Sequence, residues 1–364
     1  MVVCIIVGAR PNFIKVAPII RAIARARSLG TAIEHRLVYV GTEDDPTLEP
    51  QLFDDLQMPR PDAYLGVDCE SLNELTGRVM TGFDAYLNAH PADAVIVVDD
   101  LASTMAAAIV TKKRGLLLAH LVAGTRSFDI NMPKEINRLV IDGLSDLLFT
   151  AGISGNSATM KEGAEQQKVF MVGNILMDAL RYNYDRMRRP AVMDRLRLSG
   201  DDYLVFTLNR KVLLANSTNL RDMMAAVAAN AGDLPVIAPL RAAAAAAVGD
   251  IIASDDAMQR TFHVVDAMPY LEFGYLTANA RGIITDSGNV AEEATFNGVP
   301  CITLNSYTEH IETVKVGSNV LVGENAQRLG EAIGRMKAGQ WKESGVPELW
   351  DGRSAERIIS ILTR

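Results

Sequence analysis

The sequence predicts an α/β protein of two Rossmann-like domains, each built on a doubly wound parallel sheet. Three observations lead there. Short β-branched runs alternate with longer amphipathic segments, the pattern of strand, crossover helix and strand. The alternation starts afresh after about residue 200 (numbering from the sequence). The length of 364 residues suits two domains at roughly 100–200 residues each.

Val2–Val7 is apolar throughout, as expected of a strand buried on both faces. A turn follows at Gly8–Asn12, and Phe13–Ala24 has helical spacing. Arg36–Val40, Ala94–Val98, Leu116–Val122 and Leu147–Thr150 read as the next strands. Asn73–Asn88, Ser103–Arg114, Lys134–Leu144 and Ser154–Glu162 read as helices. In the second half Tyr203–Thr207, Pro235–Ala238, Thr261–Val265, Gly282–Thr285 and Pro300–Leu304 are strand-like. Thr218–Ala229, Ala242–Ile252, Tyr270–Ala278, Ala291–Asn297 and Ala326–Lys337 are the helices among them. The expected division is residues 1–173 and 174–351, at Gly173–Asn174, just before a polar, Arg-rich helix around Asp178–Arg189. The last helix, within 352–364, is expected to pack back on the first domain.

With 49% apolar and 22% charged residues the chain has an ordinary globular balance. Its net charge is −8, from 36 basic and 44 acidic residues, which argues against nucleic acid or an anionic membrane as partner. Cys4, Cys69 and Cys301 are too few and too scattered for a disulfide framework. The five histidines show no metal-ligand spacing, so no metal or other cofactor is expected. No apolar run reaches the roughly 18–20 residues of a membrane span. The N-terminus lacks the basic region and cleavage site of a secretion signal, which makes the cytoplasm the expected location.

Four segments carry chemistry. Gly8-Ala9-Arg10-Pro11-Asn12 joins a strand to a helix, whose first N–H groups favour an anion, with Arg10 as a forked cation. An ordinary βα turn with a surface arginine explains the same residues. Thr285-Asp286-Ser287-Gly288-Asn289 holds the equivalent place in the second half, with Glu293 one turn on to accept ribose hydroxyls. The competing explanation is a helix capped by Ser or Asp. Asp99-Asp100 ends an apolar strand, where ligand crevices of α/β sheets lie, and suits acid–base work or a helix cap. Gly124–Asp129 with Pro133–Arg138 is a charged loop and helix start.

Together these segments resemble the non-hydrolysing UDP-N-acetylglucosamine 2-epimerases. GARPNFIKVAP is similar to that family's opening motif, and AHLVAGTRSFDINMPKEINR to its HVEAGLRS loop and PEEINR helix. VGN at 172–174, YLEF at 270–273, TDSGNVAEEATFNGVPCITL and TEHIETVKVGSNVLVG follow in the family's order. The resemblance implies a GT-B fold, a UDP-sugar held in the interdomain cleft by the C-terminal domain, and a homodimer or a pairing with a homologue. It also implies a reaction: a base removes the C2 proton, UDP leaves C1, and the glycal is re-protonated on the other face before UDP adds back. The positions that carry over are Lys15, Asp100, Glu135 and Arg210 on the catalytic side. On the UDP side they are Arg10, Phe273, Ser287, Gly288 and Glu293. The implied setting is cell-envelope polysaccharide synthesis.

Several positions depart from the implied pattern. Val122 stands for the Glu of HVEAG, Lys134 for the first Glu of PEEINR, and Asn209 for the His of the His-Arg motif. Arg241 falls where the His of PVHP belongs. Asn289 replaces a glycine, and the TERPE stretch reads Thr308-Glu309-His310-Ile311-Glu312. A placed acid or base is worth ~10²–10⁴ in rate. Three readings stay open: an epimerase-like enzyme with a rebuilt site, a non-catalytic nucleotide-sugar-binding homologue, and a glycosyltransferase of the same fold.

Overall fold

All six residues of Val2–Val7 are apolar and five are fully buried, which is what a central parallel strand requires. Around it the computed structural model, which describes residues 1–364, builds the first of two units. That unit comprises Met1–Tyr182 and Glu348–Arg364; the second is Asn183–Pro347. The α/β class and the pair of Rossmann-like sheets expected from the sequence are borne out, in a GT-B-like chain organisation.

The first sheet has seven strands: β1 (Val2–Val7), β2 (Glu34–Tyr39), β3 (Ala63–Tyr64), β4 (Ala94–Val98), β5 (Leu117–Ala123), β6 (Leu147–Thr150) and β7 (Val169–Met171). They pair in the order β3-β2-β1-β4-β5-β6-β7, all parallel. The helices are α1 (Arg10–Ser28), α2 (Pro50–Leu56), α3 (Leu72–Ala89), α4 (Ala102–Lys113), α5 (Pro133–Leu144), α6 (Ile153–Lys161) and α7 (Ile175–Asn183). On one face Cys4, Ile6, Val95, Val97 and Leu118 meet Val79, Phe83 and Leu87 of α3 and the alanines 106–108 of α4. Each large side chain so buried contributes about 1.5–3 kcal/mol.

The second sheet has six parallel strands in the order β10-β9-β8-β11-β12-β13. They are β8 (Leu204–Phe206), β9 (Val236–Leu240), β10 (Phe262–Asp266), β11 (Gly282–Thr285), β12 (Cys301–Thr303) and β13 (Asn319–Leu321). Its helices are α8 (Ala191–Arg195), α9 (Lys211–Ala215), α10 (Ser217–Ala231), α11 (Ala242–Ala253), α12 (Asp256–Thr261), α13 (Tyr270–Ala278), α14 (Gly288–Asn297), α15 (Ile311–Lys315) and α16 (Ala326–Lys337). Both faces are apolar: Phe206, Ile284 and Ile302 pack with Met223, Val227 and Ile333, and Val205, Ile283 and Cys301 with Leu276, Ala291 and Ala294. No helix is long and apolar enough to cross a membrane.

Helix α17 (Ser354–Leu362) belongs to the first unit. Asp178 of α7 fixes its start, its two carboxylate oxygens accepting from the N–H groups of Ser354 at 3.0 Å and Ala355 at 2.8 Å. That bond explains why the division falls at Tyr182–Asn183 and not at Gly173–Asn174: the first two turns of α7 pack with the unit that contains α17. The Arg-rich stretch after it is not one helix to Arg189, since α7 ends at Asn183 and only a 3₁₀ turn, Tyr184–Arg186, follows. Replacing Asp178 by Ala leaves two helix-terminal N–H groups without their acceptor, at a cost of about 1–3 kcal/mol. The expected outcome is a lower Tm by calorimetry for Asp178→Ala; an unchanged Tm contradicts this role.

Candidate functional site

A sheet ordered 3-2-1-4-5 has a switch point between its first and fourth strands, where the chain leaves neighbouring strands in opposite directions and a crevice opens at their C-terminal ends. In the first unit that point lies between β1 and β4. The turn after β1 is closed from within: Gly8 and Ala9 donate their N–H groups to Asn12 Oδ1 at 3.0 and 3.1 Å. Those two N–H groups are therefore satisfied within the turn. Helix α1 begins at Arg10, three residues earlier than expected, because Pro11 fits the first helical turn. A Cβ on Gly8 would strike Ser103 of α4. Asn12 donates to Asp99 Oδ2 at 2.7 Å, and Lys15 Nζ pairs with Asp99 Oδ1 at 2.5 Å while 5% exposed. Arg10 lies 3.9 Å from Glu49. Lys15, Asp99 and the β1 turn thus form one polar assembly.

Asp100 faces two cations. Arg138 Nε and Nη2 donate to its Oδ2 at 2.9 and 2.6 Å, and Lys134 Nζ stands 3.2 Å from Oδ1. Burial pushes its pKa up, but Lys134 and Arg138 together outweigh that and hold the carboxyl below its ordinary value. Asp100 is therefore an ionised acceptor at neutral pH. Glu135, expected to take part in proton transfer, is instead spent on structure. It accepts from Ser127 N and Oγ, both at 2.9 Å, from Phe128 N at 3.0 Å and from Arg138 Nη1 at 2.9 Å. Burial raises its pKa and these four donors more than reverse the effect, so it too stays ionised.

Val122, next to last in β5 at the register shift against β6, has φ 72°. A β-branched residue in that left-handed region is strained. The strain is imposed by its neighbours. Gly124 donates its N–H to Asp142 Oδ2 at 3.0 Å and packs so tightly on the Gly155 backbone that a Cβ would not fit. Asp142 also lies 2.5 Å from His120 Nδ1 and 2.6 Å from Arg126 Nη2, and His120 Nε2 stands 2.9 Å from the Asp99 carbonyl. These buried groups lock the strand-end loops.

In the second unit the switch point lies between β8 and β11. Asp286 Oδ2 accepts from the backbone N–H of Asn209 at 2.8 Å and of Arg210 at 2.6 Å. One carboxylate therefore joins the ends of both strands, while its Oδ1 is buried without a hydrogen-bond partner. The Asn209 and Arg210 side chains are exposed. Ser287 sits at the N-cap of α14 but makes no side-chain capping bond, so capping does not account for its hydroxyl. Gly288 opens α14, and a Cβ there would run into the His310 ring. His310 Nδ1 lies 2.8 Å from Glu292 Oε1. Glu293 is 6% exposed; burial, and then the Glu292 charge, push its pKa up to about 8.

Arg210, Ser287 and Gly288 are thus brought together through Asp286, with Glu293 on the same helix as Gly288. Phe273 is half-buried on α13 against the core beneath α14. Arg241 is the exposed N-cap residue of α11, after β9. Asn12, Asp142, Asp286, Glu292 and His310 were not among the sequence candidates. Asn12, Asp286 and Glu292 lay inside the segments singled out, and His310 inside the changed stretch 308–312; Asp142 gave no signal.

Glu293 generates a test. In the folded chain its pKa is about 8, against 4.5 for an unperturbed glutamate. Between those values the folded state holds a proton that the unfolded state has released, so stability falls as pH rises through the window and levels off above it. Glu293→Gln removes that dependence. The Tm of the variant minus that of the parent is expected to grow from ~pH 5 to ~pH 8; a constant difference refutes it.

The family model described as UDP-N-acetylglucosamine 2-epimerase matches residues 27–363. A UDP-N-acetylglucosamine 2-epimerase of Methanocaldococcus jannaschii is 33% identical over 100% of this chain and 99% of its own length. A UDP-2,3-diacetamido-2,3-dideoxy-D-glucuronate 2-epimerase of Pseudomonas aeruginosa is 29% identical, with 100% of both chains covered. The crystal structure of the M. jannaschii UDP-GlcNAc 2-epimerase in complex with UDP-GlcNAc and UDP superposes with a TM-score of 0.85 at 32% identity, covering 100% of this chain and 99% of the other.

Proposed function

Because the chain belongs to the UDP-N-acetylglucosamine 2-epimerase family, we propose that it is an isomerase that inverts C2 of a UDP-2-acetamido sugar. UDP is eliminated and then added back. The observation that carries this reading is likeness over the whole length at about a third identity to a protein of that name. Ser287, Gly288 and Glu293 hold the diphosphate and ribose, Phe273 lies beside the base, and Arg10 adds a cation. Lys15, Asp100 and Arg210 face the sugar. Asp100, ionised between Lys134 and Arg138, acts as a proton acceptor and not as a donor. A depressed pKa makes it a weak base, so slow turnover follows.

One set of observations favours a non-catalytic nucleotide-sugar-binding protein. Asp100 is pinned by two cations, Glu135 is saturated with donors, and Val122 has no proton to move. NMR of the protein with UDP-GlcNAc in D₂O separates the two readings. The epimerase reading expects deuterium at C2, the manno isomer, and transient free UDP. Binding without any of these leaves the non-catalytic reading.

The proposal extends to a cytoplasmic homodimer that serves cell-envelope polysaccharide synthesis. Helix α5 supports the dimer, since it buries Glu135, Asn137, Arg138 and Asp142 while Ile136 and Leu139 are exposed, near the exposed Phe128 and Ile130. An apolar stripe on the outer face of a helix calls for a covering partner. Sedimentation equilibrium is expected to give the dimer mass, and a monomer mass after Ile136→Glu with Leu139→Glu. A monomeric parent protein excludes this assembly.

A further inference from the structure

We propose that Asp99 is a positioning residue for the sugar: its carboxylate reaches across the switch point of the first sheet and holds the Lys15 ammonium at the ligand crevice. This rests on the UDP-sugar reading above. The backbone is unusual at this residue. Asp99 has φ 60°, in the left-handed region. Glycine takes that conformation without steric cost, whereas an aspartate takes it under strain. The fold holds the strained residue in place. Its N–H donates to the Leu121 carbonyl at 3.2 Å, and His120 Nε2 lies 2.9 Å from its own carbonyl. Strain kept in this way at a strand end points to the side chain as its reason.

The carboxylate spans the crevice. β1 and β4 are neighbours in the sheet, and the crevice opens between their C-terminal ends. Asp99 follows β4, while Asn12 and Lys15 lie on α1, which follows β1. Residues 12 and 15 share a face of that helix. Both reach Asp99: Asn12 Nδ2 donates to its Oδ2 at 2.7 Å, and Lys15 Nζ to its Oδ1 at 2.5 Å. The Asn12 amide cannot turn round, because its Oδ1 accepts the N–H groups of Gly8 and Ala9 at 3.0 and 3.1 Å. The carboxylate is therefore held at both oxygens.

Lys15 is 5% exposed, and a charge so far from water needs a counter-charge. Asp99 supplies it. The neighbouring Asp100 does not compete, since it meets Lys134 and Arg138 of α5, which follows β5 on the other side of β4. The two adjacent carboxylates are thus divided between α1 and α5. A lysine carries a point charge on a flexible stem, with no direction of its own. A fixed carboxylate beside the crevice gives that charge one position. Asp99 acts through Lys15, and no proton moves to or from it in this role.

Calorimetric titrations with UDP and with UDP-GlcNAc test the role, because UDP lacks the sugar. Asp99→Gly suits the backbone conformation and removes the carboxylate. It is expected to weaken UDP-GlcNAc binding ~10-fold, the effect of misplacing a hydrogen bond from a charged group, and to leave UDP within ~2-fold. Lys15→Met should cause the same loss, confined to the sugar. Adding Asp99→Gly to Lys15→Met should then change UDP-GlcNAc affinity by less than ~2-fold, since residues that act as one unit are not additive. The double variant leaves no buried charge unpaired, so it decides the matter even where Asp99→Gly alone does not fold. Equal losses for UDP and UDP-GlcNAc, no loss in either, or a further full loss in the double variant overturn the proposal. A parent protein that binds UDP-GlcNAc but exchanges no deuterium at C2 ends the epimerase reading alone, and the affinities still decide Asp99. A parent that binds neither ligand ends both.

Discussion

Parallel pairing is the constraint on which everything else rests. Within each sheet every strand runs the same way, so every connection returns over a face and every strand delivers its C-terminal end to one edge of that sheet. Where the order reverses, between β1 and β4 and between β8 and β11, the loops part and leave room for a ligand. Nearly all residues with chemistry in them lie at those ends: Gly8 to Lys15, Asp99-Asp100 and Val122 in one unit, Asn209-Arg210 and Asp286 to Glu293 in the other. The buried apolar strands determine where these residues emerge. Polar interactions then determine their exact poses.

Those polar interactions are mostly carboxylates accepting backbone N–H groups. Asp286 ties Asn209 and Arg210 to the end of β11, Asp142 ties Gly124, and Glu135 ties Ser127 and Phe128. A buried carboxylate with several donors is stable only when charged. The same bonds that make the loops rigid hold the Asp142 and Glu135 carboxylates ionised. Val122 shows how firmly the loop is held. A valine tolerates φ 72° at a cost of about 1–3 kcal/mol, and it does so because Asp142, Gly124 and Gly155 over-determine the backbone around it.

Much of this was legible beforehand. The central strands were readable because apolar runs such as Val2–Val7 and Ala94–Val98 are buried on both faces and show no other pattern. The edges were not: β3 has two residues, and β7 and β13 have three each, too short for any periodicity. The start of α1 was misplaced because Asn12 caps backward onto Gly8 and Ala9, a contact that no spacing rule announces. Glu135 is the instructive residue. Its position beside a charged loop suggested proton transfer, yet its partners lie seven and eight residues back along the chain, and only the folded loop brings their N–H groups to it.

The second unit retains what the first has given up. Glu292 and Glu293 are adjacent, and both are buried on α14. Two like charges in such a place cannot ionise independently, and their surroundings separate them. Glu292 has the His310 Nδ1 2.8 Å from its carboxylate. Glu293 has burial and its neighbour's charge against it, which holds its proton up to about pH 8. A protonated Glu293 can donate one hydrogen bond and accept another, the set a vicinal diol offers in return. Gly288, the first residue of that helix, lets the His310 ring lie where a Cβ would otherwise stand.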